Sequence, residues 1–373
     1  MILPGEKLGL LGGGQLGRMF TVAARTMGYE VVVLDPDPDS PAGALANEHL
    51  CAAYDDMAAL DHLADSCSAA TIEFENIPAA SLEYIMKKIP VRPGSDAIRI
   101  ARDRIKEKGT LKSLGLPTAD YVVIESDTDL ANATATDVYP AILKTATLGY
   151  DGKGQATVEN KNNLARAYTE LGNVPCILEK QVALRCEISV ILARSDCGHI
   201  ETYPVGENQH KNGILDVTIV PARVATDLCR EADRLSRVIA EELNYVGVLA
   251  VEFFIDENDN LLINEIAPRP HNSGHYTMNA CITDQFQQQV RTLCGFRPGE
   301  TTLVKSAVMV NILGDEWKKS NTPKWDNVLR KQNTFLHLYE KNEPRKGRKM
   351  GHYTCIGDDL DNLMYQIGTI KLQ

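Results

Sequence analysis

The sequence predicts an α/β protein, α+β in part, built from three lobes. Three observations carry that reading. Short apolar strands alternate with helical stretches from the first residues onward, as βαβ units do. Two glycine-rich turns occur in different settings, Gly12–Gly17 between a strand and a helix and Thr147–Gln155 between two strands. Late in the chain, two apolar arms around the polar turn Asp256–Asn260 each carry a glutamate, Glu252 and Glu265. The expected boundaries are 1–102 for an N-terminal βαβ lobe, 103–182 for a small lobe holding the second glycine turn, and 183–373 for a large lobe holding the hairpin.

In the first lobe Lys7–Leu11 reads as a strand, Arg18–Met27 as a helix and Val31–Leu34 as a second strand ending at Asp35. Gly12, Gly14 and Gly17 fit G-x-G-x-x-G, and Asp35 stands about where a ribose-binding acid would sit. The lobe is therefore Rossmann-like. Taken literally the motif binds a dinucleotide, but such a turn also serves other phosphates or ribose, or simply close helix packing. Ala69–Phe74 is strand-like and leads into Glu75-Asn76. Ser81–Lys88 is helical, Val91–Gly94 is a strand end and turn, and Asp96–Leu114 reads as one long amphipathic helix that Gly115-Leu116-Pro117 breaks.

The small lobe is expected to contain strands Pro140–Lys144, Ala156–Val158 and Cys176–Val182 and a helix at Leu164–Leu171. Its glycine loop is a hairpin tip, unlike a Walker loop, which joins a strand to a helix. Gly149, Gly152 and Gly154 let backbone N–H groups approach phosphates without Cβ obstruction. Lys144 and Lys153 add point charges for phosphate oxygens, although a plain flexible turn would use glycine too. The large lobe is expected to hold strands Glu187–Ala193, Val246–Ile255, Leu261–Ile266 and Ala307–Leu313, with a helix at Leu228–Leu243.

Pairing Glu252 with Glu265 centres the hairpin between Asn258 and Asp259. The two carboxylates then share a face with Cβ atoms about 5 Å apart. Like charges so placed repel, and a divalent cation between them is a reason to keep them, since Mg²⁺ is held by one or two carboxylates plus substrate phosphates. Solvated carboxylates at the ends of an ordinary hairpin are the alternative. Arg269, His271, Asn272, Ser273 and His275 crowd the following loop and suggest an anionic-substrate pocket. A basic run, Lys341, Arg345, Lys346, Arg348 and Lys349, reads either as a solvated loop or as a phosphate clamp.

The chain has 373 residues and a formal net charge of −11. That balance argues against nucleic acid as a partner. No apolar run approaches the ~20 residues of a membrane span, and the opening residues lack the basic-then-apolar order of a secretory leader. Nine scattered cysteines without C-x-x-C spacing point to reduced thiols in the cytoplasm, not to zinc or disulfides.

Taken in order, GGGQLGRM, KTATLGYDGKGQ, EKQV, ENQHKNGIL, LAVEFF, INEIAPRPHNSGH and GRKMGH resemble the 5-(carboxyamino)imidazole ribonucleotide synthetases of the ATP-grasp superfamily, from about residue 7 to residue 352. The resemblance implies a three-domain ATP-grasp fold and a cytoplasmic ligase of purine biosynthesis. ATP would phosphorylate bicarbonate, and the amine of 5-aminoimidazole ribonucleotide would take up the carboxyl group. Mg²⁺ or Mn²⁺ would assist, without biotin. It implies that Arg104, Lys144, the loop Gly149, Tyr150, Asp151, Gly152, Lys153, Gly154 and Gln155, the adenine hinge Glu179, Lys180, Gln181 and Val182, then Glu187, His210, Asn264 and Glu265 bind ATP. Glu252 and Glu265 would hold the metal. Gln15, Leu16, Glu73, Asn272, Lys341 and Arg348 would meet the ribonucleotide, and Tyr150, Asp151, Arg269 and His271 would serve the chemistry. The approach to GRKMGH reads NEPRKGRK, longer than the family pattern, so Lys341, Arg345 and Arg348 stay open as phosphate ligands. The family further suggests a homodimer and hand-off of the product to the mutase that follows. Rival readings are a formate-dependent glycinamide ribonucleotide transformylase, a nicotinamide-dependent oxidoreductase, and a non-catalytic nucleotide-binding scaffold.

Overall fold

The computed structural model describes residues 1–149, 152–317 and 322–372. Strands Glu48–Leu50, Glu30–Leu34, Lys7–Leu11 and Ala69–Ile72 lie side by side in that order, all parallel. Parallel strands are covered on both faces, and the period of two assigns the sides. Leu8, Leu10, Val31 and Val33 pack against helix Gln15–Thr26 and against Phe286, Val290 and Leu293, which the late helix Gln285–Leu293 contributes. Val32, Leu34, Ala70 and Ile72 face Leu60, Leu63 and Leu82 on the other side. One face of the N-terminal lobe is thus closed by residues nearly three hundred positions away. The helices Met57–Ser66 and Gln285–Leu293 were not anticipated from the sequence.

The expected helix Asp96–Leu114 is two helices, Ser95–Ala101 and Arg104–Ser113. Asp103 breaks it, because its carboxylate accepts the N–H groups of Ile105 and Lys106 as an N-cap. The break sets Arg104 at the head of the second helix, its amide bonded to the Ala146 carbonyl.

A four-stranded antiparallel sheet follows, in the order Tyr121–Ile124, Cys176–Lys180, Ala141–Thr145, Gln155–Val158. Strand Cys176–Lys180 stops before Gln181 and Val182. The largest sheet has nine strands among the described residues. Leu261–Ala267, Gly247–Asp256, Leu184–Arg194, Gly206–Lys211 and Ile214–Val220 lead into Ser306–Leu313, Lys349–Gly357 and Thr334–Leu338, with Ile200–Thr202 beside the third. The pair Gly206–Lys211 and Ile214–Val220 was missed, since its polar arm hides the alternation. Helix Thr226–Glu242 seals one face through Ala232, Leu235 and Ile239 against Val190, Leu249 and Phe253.

The hairpin register is corrected in detail. Glu252 does pair with Glu265, but Phe253 pairs with Ile263, so Asn264 is an extra residue in a β-bulge. The bulge carries the pairing across from a turn centred one half-residue earlier than expected. Among the described residues no helix is long and apolar enough to cross a membrane. Of the nine free cysteines, Cys67, Cys176, Cys294 and Cys355 are buried, whereas Cys51 and Cys197 are exposed.

Candidate active site

Two adjoining cavities of about 540 Å³ and 230 Å³ meet where the three sheets converge. The larger opens onto Gly14, Gln15, Leu16 and Glu73, the smaller onto Lys144, Gly152, Lys153, Gln155, Glu187 and His210. Arg104, Glu265, His271, Asn272 and Lys349 line both.

At the first glycine turn the anion is the protein's own. Glu73 accepts hydrogen bonds from the amides of Gly14 and Leu16, the latter at 3.0 Å, at the N-terminus of helix Gln15–Thr26. A Cβ on Gly14 would stand 2.5 Å from Glu73 Oε1, which is why glycine is required there. Burial raises the Glu73 pKa in spite of these donors. Asp35, the expected ribose acid, is already used. It accepts from Gly13 N at 2.6 Å, Tyr54 OH at 2.6 Å and Asp37 N at 2.8 Å. The turn therefore lacks the vacancies a dinucleotide needs. Titration with NADH is expected to leave nicotinamide fluorescence unchanged, and a saturable enhancement would restore the oxidoreductase reading.

Glu252 and Glu265 lie across the bulge. Burial and then the Glu265 charge push Glu252 up to about 7. Burial would raise Glu265 as well, but the Arg104 guanidinium, 3.0 Å away, and Lys144 hold it low. The side-chain oxygen of Asn264, between them in sequence, is buried and has no hydrogen-bond partner among the described residues. Two repelling carboxylates and an unsatisfied amide oxygen form an all-oxygen donor set, which fits a hard divalent cation. His271 is neutral, lowered by burial and by Arg269. The chain Ser189 Oγ to Ser273 Oγ (2.8 Å) to His271 Nδ1 (2.9 Å) leaves its proton on Nε2, 3.5 Å from Glu252.

Lys144 and Lys108 both bond Glu179, Lys108 at 2.9 Å. Burial would raise Glu179, but the two ammonium groups hold it at about 2. Lys108 also donates to the carbonyl of Asn264 at 2.7 Å, bracing the bulge. His210 Nδ1 lies 2.9 Å from Glu187. Burial alone would lower its pKa, and the hydrogen bond and charge of Glu187 raise it instead.

Arg269 donates from Nε to Glu75 at 2.8 Å. Asn272 and Asn311 exchange amide hydrogen bonds at 2.8 and 2.9 Å. Gln285 clamps the loop, taking the His271 amide at 2.9 Å and giving to its carbonyl at 2.8 Å. Lys341 reaches Gln15 and the Lys349 carbonyl, whereas Arg345 pairs with Glu343 and Arg348 donates to the Glu343 carbonyl at 3.0 Å.

Three family models divide the chain. The ribonucleotide synthetase preATP-grasp domain matches residues 5–102, the ATP-grasp domain residues 109–286, and the phosphoribosylaminoimidazole carboxylase C-terminal domain residues 307–366. The N5-carboxyaminoimidazole ribonucleotide synthase of Bacillus subtilis is 43% identical over 367 residues, 98% of this chain and 96% of that protein.

The chain belongs to the N5-carboxyaminoimidazole ribonucleotide synthase family.

Solved members agree. The Staphylococcus aureus synthetase complexed with ADP superposes with a TM-score of 0.93 at 38% identity, covering 99% of this chain and 98% of that one. The Aspergillus clavatus synthase in complex with ADP and 5-aminoimidazole ribonucleotide gives 0.89 at 28% identity, covering 98% of each. The fold is therefore ATP-grasp with an N-terminal preATP-grasp domain, and the protein is an ATP-dependent carbon–nitrogen ligase of purine biosynthesis. The transformylase, oxidoreductase and scaffold readings fall with it.

Within this family member the cavities bring together most residues singled out from sequence. Tyr150 and Asp151 lie outside the described residues. Glu179, expected to act through its backbone, also places a buried carboxylate between two lysines. Lys180 and Gln181 spend their amides on the carbonyls of Asp120 and Pro140. Lys108, Glu75, Gln285 and Asn311 were missed and carry no local signal, whereas Lys349, singled out within the basic run as part of a phosphate clamp or a solvated loop, lines both cavities.

Proposed function

We propose that the protein uses ATP and bicarbonate to carboxylate the exocyclic amine of 5-aminoimidazole ribonucleotide, through carboxyphosphate, at the junction of the two cavities. The observation that supports this best is the carboxylate pair with the orphaned Asn264 oxygen, set between a pocket lined by basic groups and a pocket leading to the first glycine turn. A phosphoryl acceptor and a second substrate can thus meet at the residues the two cavities share.

In this reading a bicarbonate oxygen bonds to the terminal phosphorus as the bridge to ADP breaks. The amine nitrogen then bonds to the carboxyl carbon, directly or after release of carbon dioxide. Phosphate leaves and the amine loses a proton. Arg104, Lys144 and His210 face the phosphates, Glu187 the ribose hydroxyls, and the backbone of Glu179–Val182 the adenine. With the Lys180 and Gln181 amides used internally, the donor to the base falls to Val182. The loop Gly149–Gln155, with Tyr150 and Asp151, closes over the phosphates and excludes water from an intermediate that hydrolyses readily. Arg269, His271 and Asn272 surround the bicarbonate and the amine. Gln15, Leu16 and Glu73, with Lys341 and Arg348, hold the ribonucleotide. Glu252 and Glu265 would hold a Mg²⁺ or Mn²⁺ ion, which would supply neutralisation of the charge that develops on the phosphate oxygens.

The lobes 1–102, 103–182 and 183–373 then have distinct tasks: ribonucleotide, lid, and metal with nucleotide. A cytoplasmic homodimer that hands its unstable product to the mutase belongs to the same reading.

Phosphate release from ATP and Mg²⁺ tests it. Release is expected to require the ribonucleotide and to rise with bicarbonate. Release indifferent to both would remove the proposal.

A further inference from the structure

Glu75 stands in the loop after strand Ala69–Ile72 of the first lobe, and Arg269 in the loop after strand Leu261–Ala267 of the third. They are 194 residues apart in sequence, yet Glu75 Oε2 accepts the Arg269 Nε proton at 2.8 Å. Both side chains line the larger cavity and are largely buried, at 25% and 18% exposure. The guanidinium is fixed at a second point, where its NH1 donates to the Pro270 carbonyl at 3.3 Å.

An arginine held by its Nε edge cannot rotate about its long axis. Its plane is set, and its remaining donors keep one direction. Arg269 lines the larger cavity together with His271 and Asn272, which follow it in the same loop. Glu73, two residues before Glu75, is tied into the glycine turn. The strand end that fixes the first-lobe pocket therefore also fixes the arginine of the third lobe.

We propose that Glu75 is a positioning residue: it orients the Arg269 guanidinium toward the anion that accepts the phosphoryl group, and so sets how completely ATP cleavage is coupled to carboxylation. The inference rests on the function proposed above. Glu75 makes no contact with the reacting atoms in this scheme, and its effect passes through Arg269. Burial opposes its ionisation, but the Arg269 charge keeps it ionised, so the pair is an ion pair at neutral pH.

The test is Glu75→Gln, which keeps size and can still accept from Nε but loses the charge, beside Glu75→Ala and Arg269→Lys. Lysine cannot present the Nε edge. In Glu75→Ala the ratio of phosphate released to ribonucleotide carboxylated is expected to rise about tenfold or more. KM for bicarbonate should rise with it, while KM for ATP stays as in the unaltered protein. Glu75→Gln should recover part of the coupling. The combined Glu75→Ala/Arg269→Lys variant should be no worse than Arg269→Lys alone, since a residue acting through a partner has no effect once the partner is changed. Unaltered coupling in a folded Glu75→Ala protein, or additive losses in the double variant, would overturn the role. Failure of the parent protein to require bicarbonate would instead overturn the underlying function, so the two failures are distinct.

Discussion

Glu252→Gln is expected to abolish carboxylation while making the protein more stable above neutral pH. The activity loss follows from the proposed metal site, where one carboxylate of two disappears. Removing such a preorganised charge costs about 10²–10³-fold in rate. The stability gain follows from the pKa. Glu252 is raised from 4.5 to about 7 in the folded protein. Between those values the folded state keeps a proton that the unfolded chain has released, so stability falls as pH rises through the window. Above pH 7 the full cost is present, of order 1–3 kcal/mol. A neutral glutamine removes it, and the melting midpoint at pH 8 should rise by a few degrees, with little change at pH 5. Mg²⁺ should raise the midpoint of the unaltered protein at pH 8 and leave that of the variant where it was. A variant that turns over normally, or that melts lower than its parent at pH 8, would sink the assignment. Glu265→Gln should lose activity as well but lower stability at neutral pH, because Arg104 at 3.0 Å and Lys144 hold that carboxylate below its ordinary pKa and its charge therefore stabilises the fold.

The second large effect is destabilisation by Glu179→Gln. Glu179 is 4% exposed and lies between Lys108, 1% exposed, and Lys144, 8% exposed. Taking away the carboxylate leaves two buried ammonium groups without their counter-charge, a change that costs about 3–5 kcal/mol. The Asn264 bulge should loosen with it, because Lys108 braces that bulge through the Asn264 carbonyl. The sign of the pH dependence is opposite to that of Glu252. Glu179 is held at about 2, below its ordinary 4.5. Its stabilisation is whole above pH 4.5 and fades as pH falls toward 2. Denaturant unfolding at pH 7 should therefore separate variant and parent widely, and the gap should narrow by pH 3. Equal midpoints at pH 7 would mean that the triad contributes nothing net.

Both predictions turn on groups that the sequence rendered unequally. Glu252 and Glu265 were legible because a hairpin is local: its turn residues and the period of two bring the glutamates to one face whatever the rest of the chain does. Only the bulge escaped, since one extra residue leaves the alternation nearly intact. Glu179 was legible as part of a strand end, but its carboxylate is aimed by a helix that begins only because Asp103 caps it. Read as a continuous helix, Asp96–Leu114 would have carried Lys108 elsewhere.

The first glycine turn shows the same division. Its sequence fixes a tight strand-to-helix connection with exposed amides, and those amides attract any anion. Which anion is decided by Glu73, 59 residues on from Gly14, and by Asp35 being spent on Gly13 and Tyr54. The choice among Lys341, Arg345 and Arg348 likewise depends on a contact 326 residues long, from Lys341 to Gln15.

By itself, then, the sequence determined what is set by neighbours along the chain: the alternation of strands and helices, the two glycine turns, the paired glutamates, and the motifs that carry the family resemblance. The tertiary structure decided the charges. Whether a carboxylate binds metal, caps a turn, neutralises lysines or steers an arginine depends on which opposite charge the fold buries beside it. Coulomb energy at a few ångströms in a low-dielectric interior depends on distance in space, and sequence separation does not enter it.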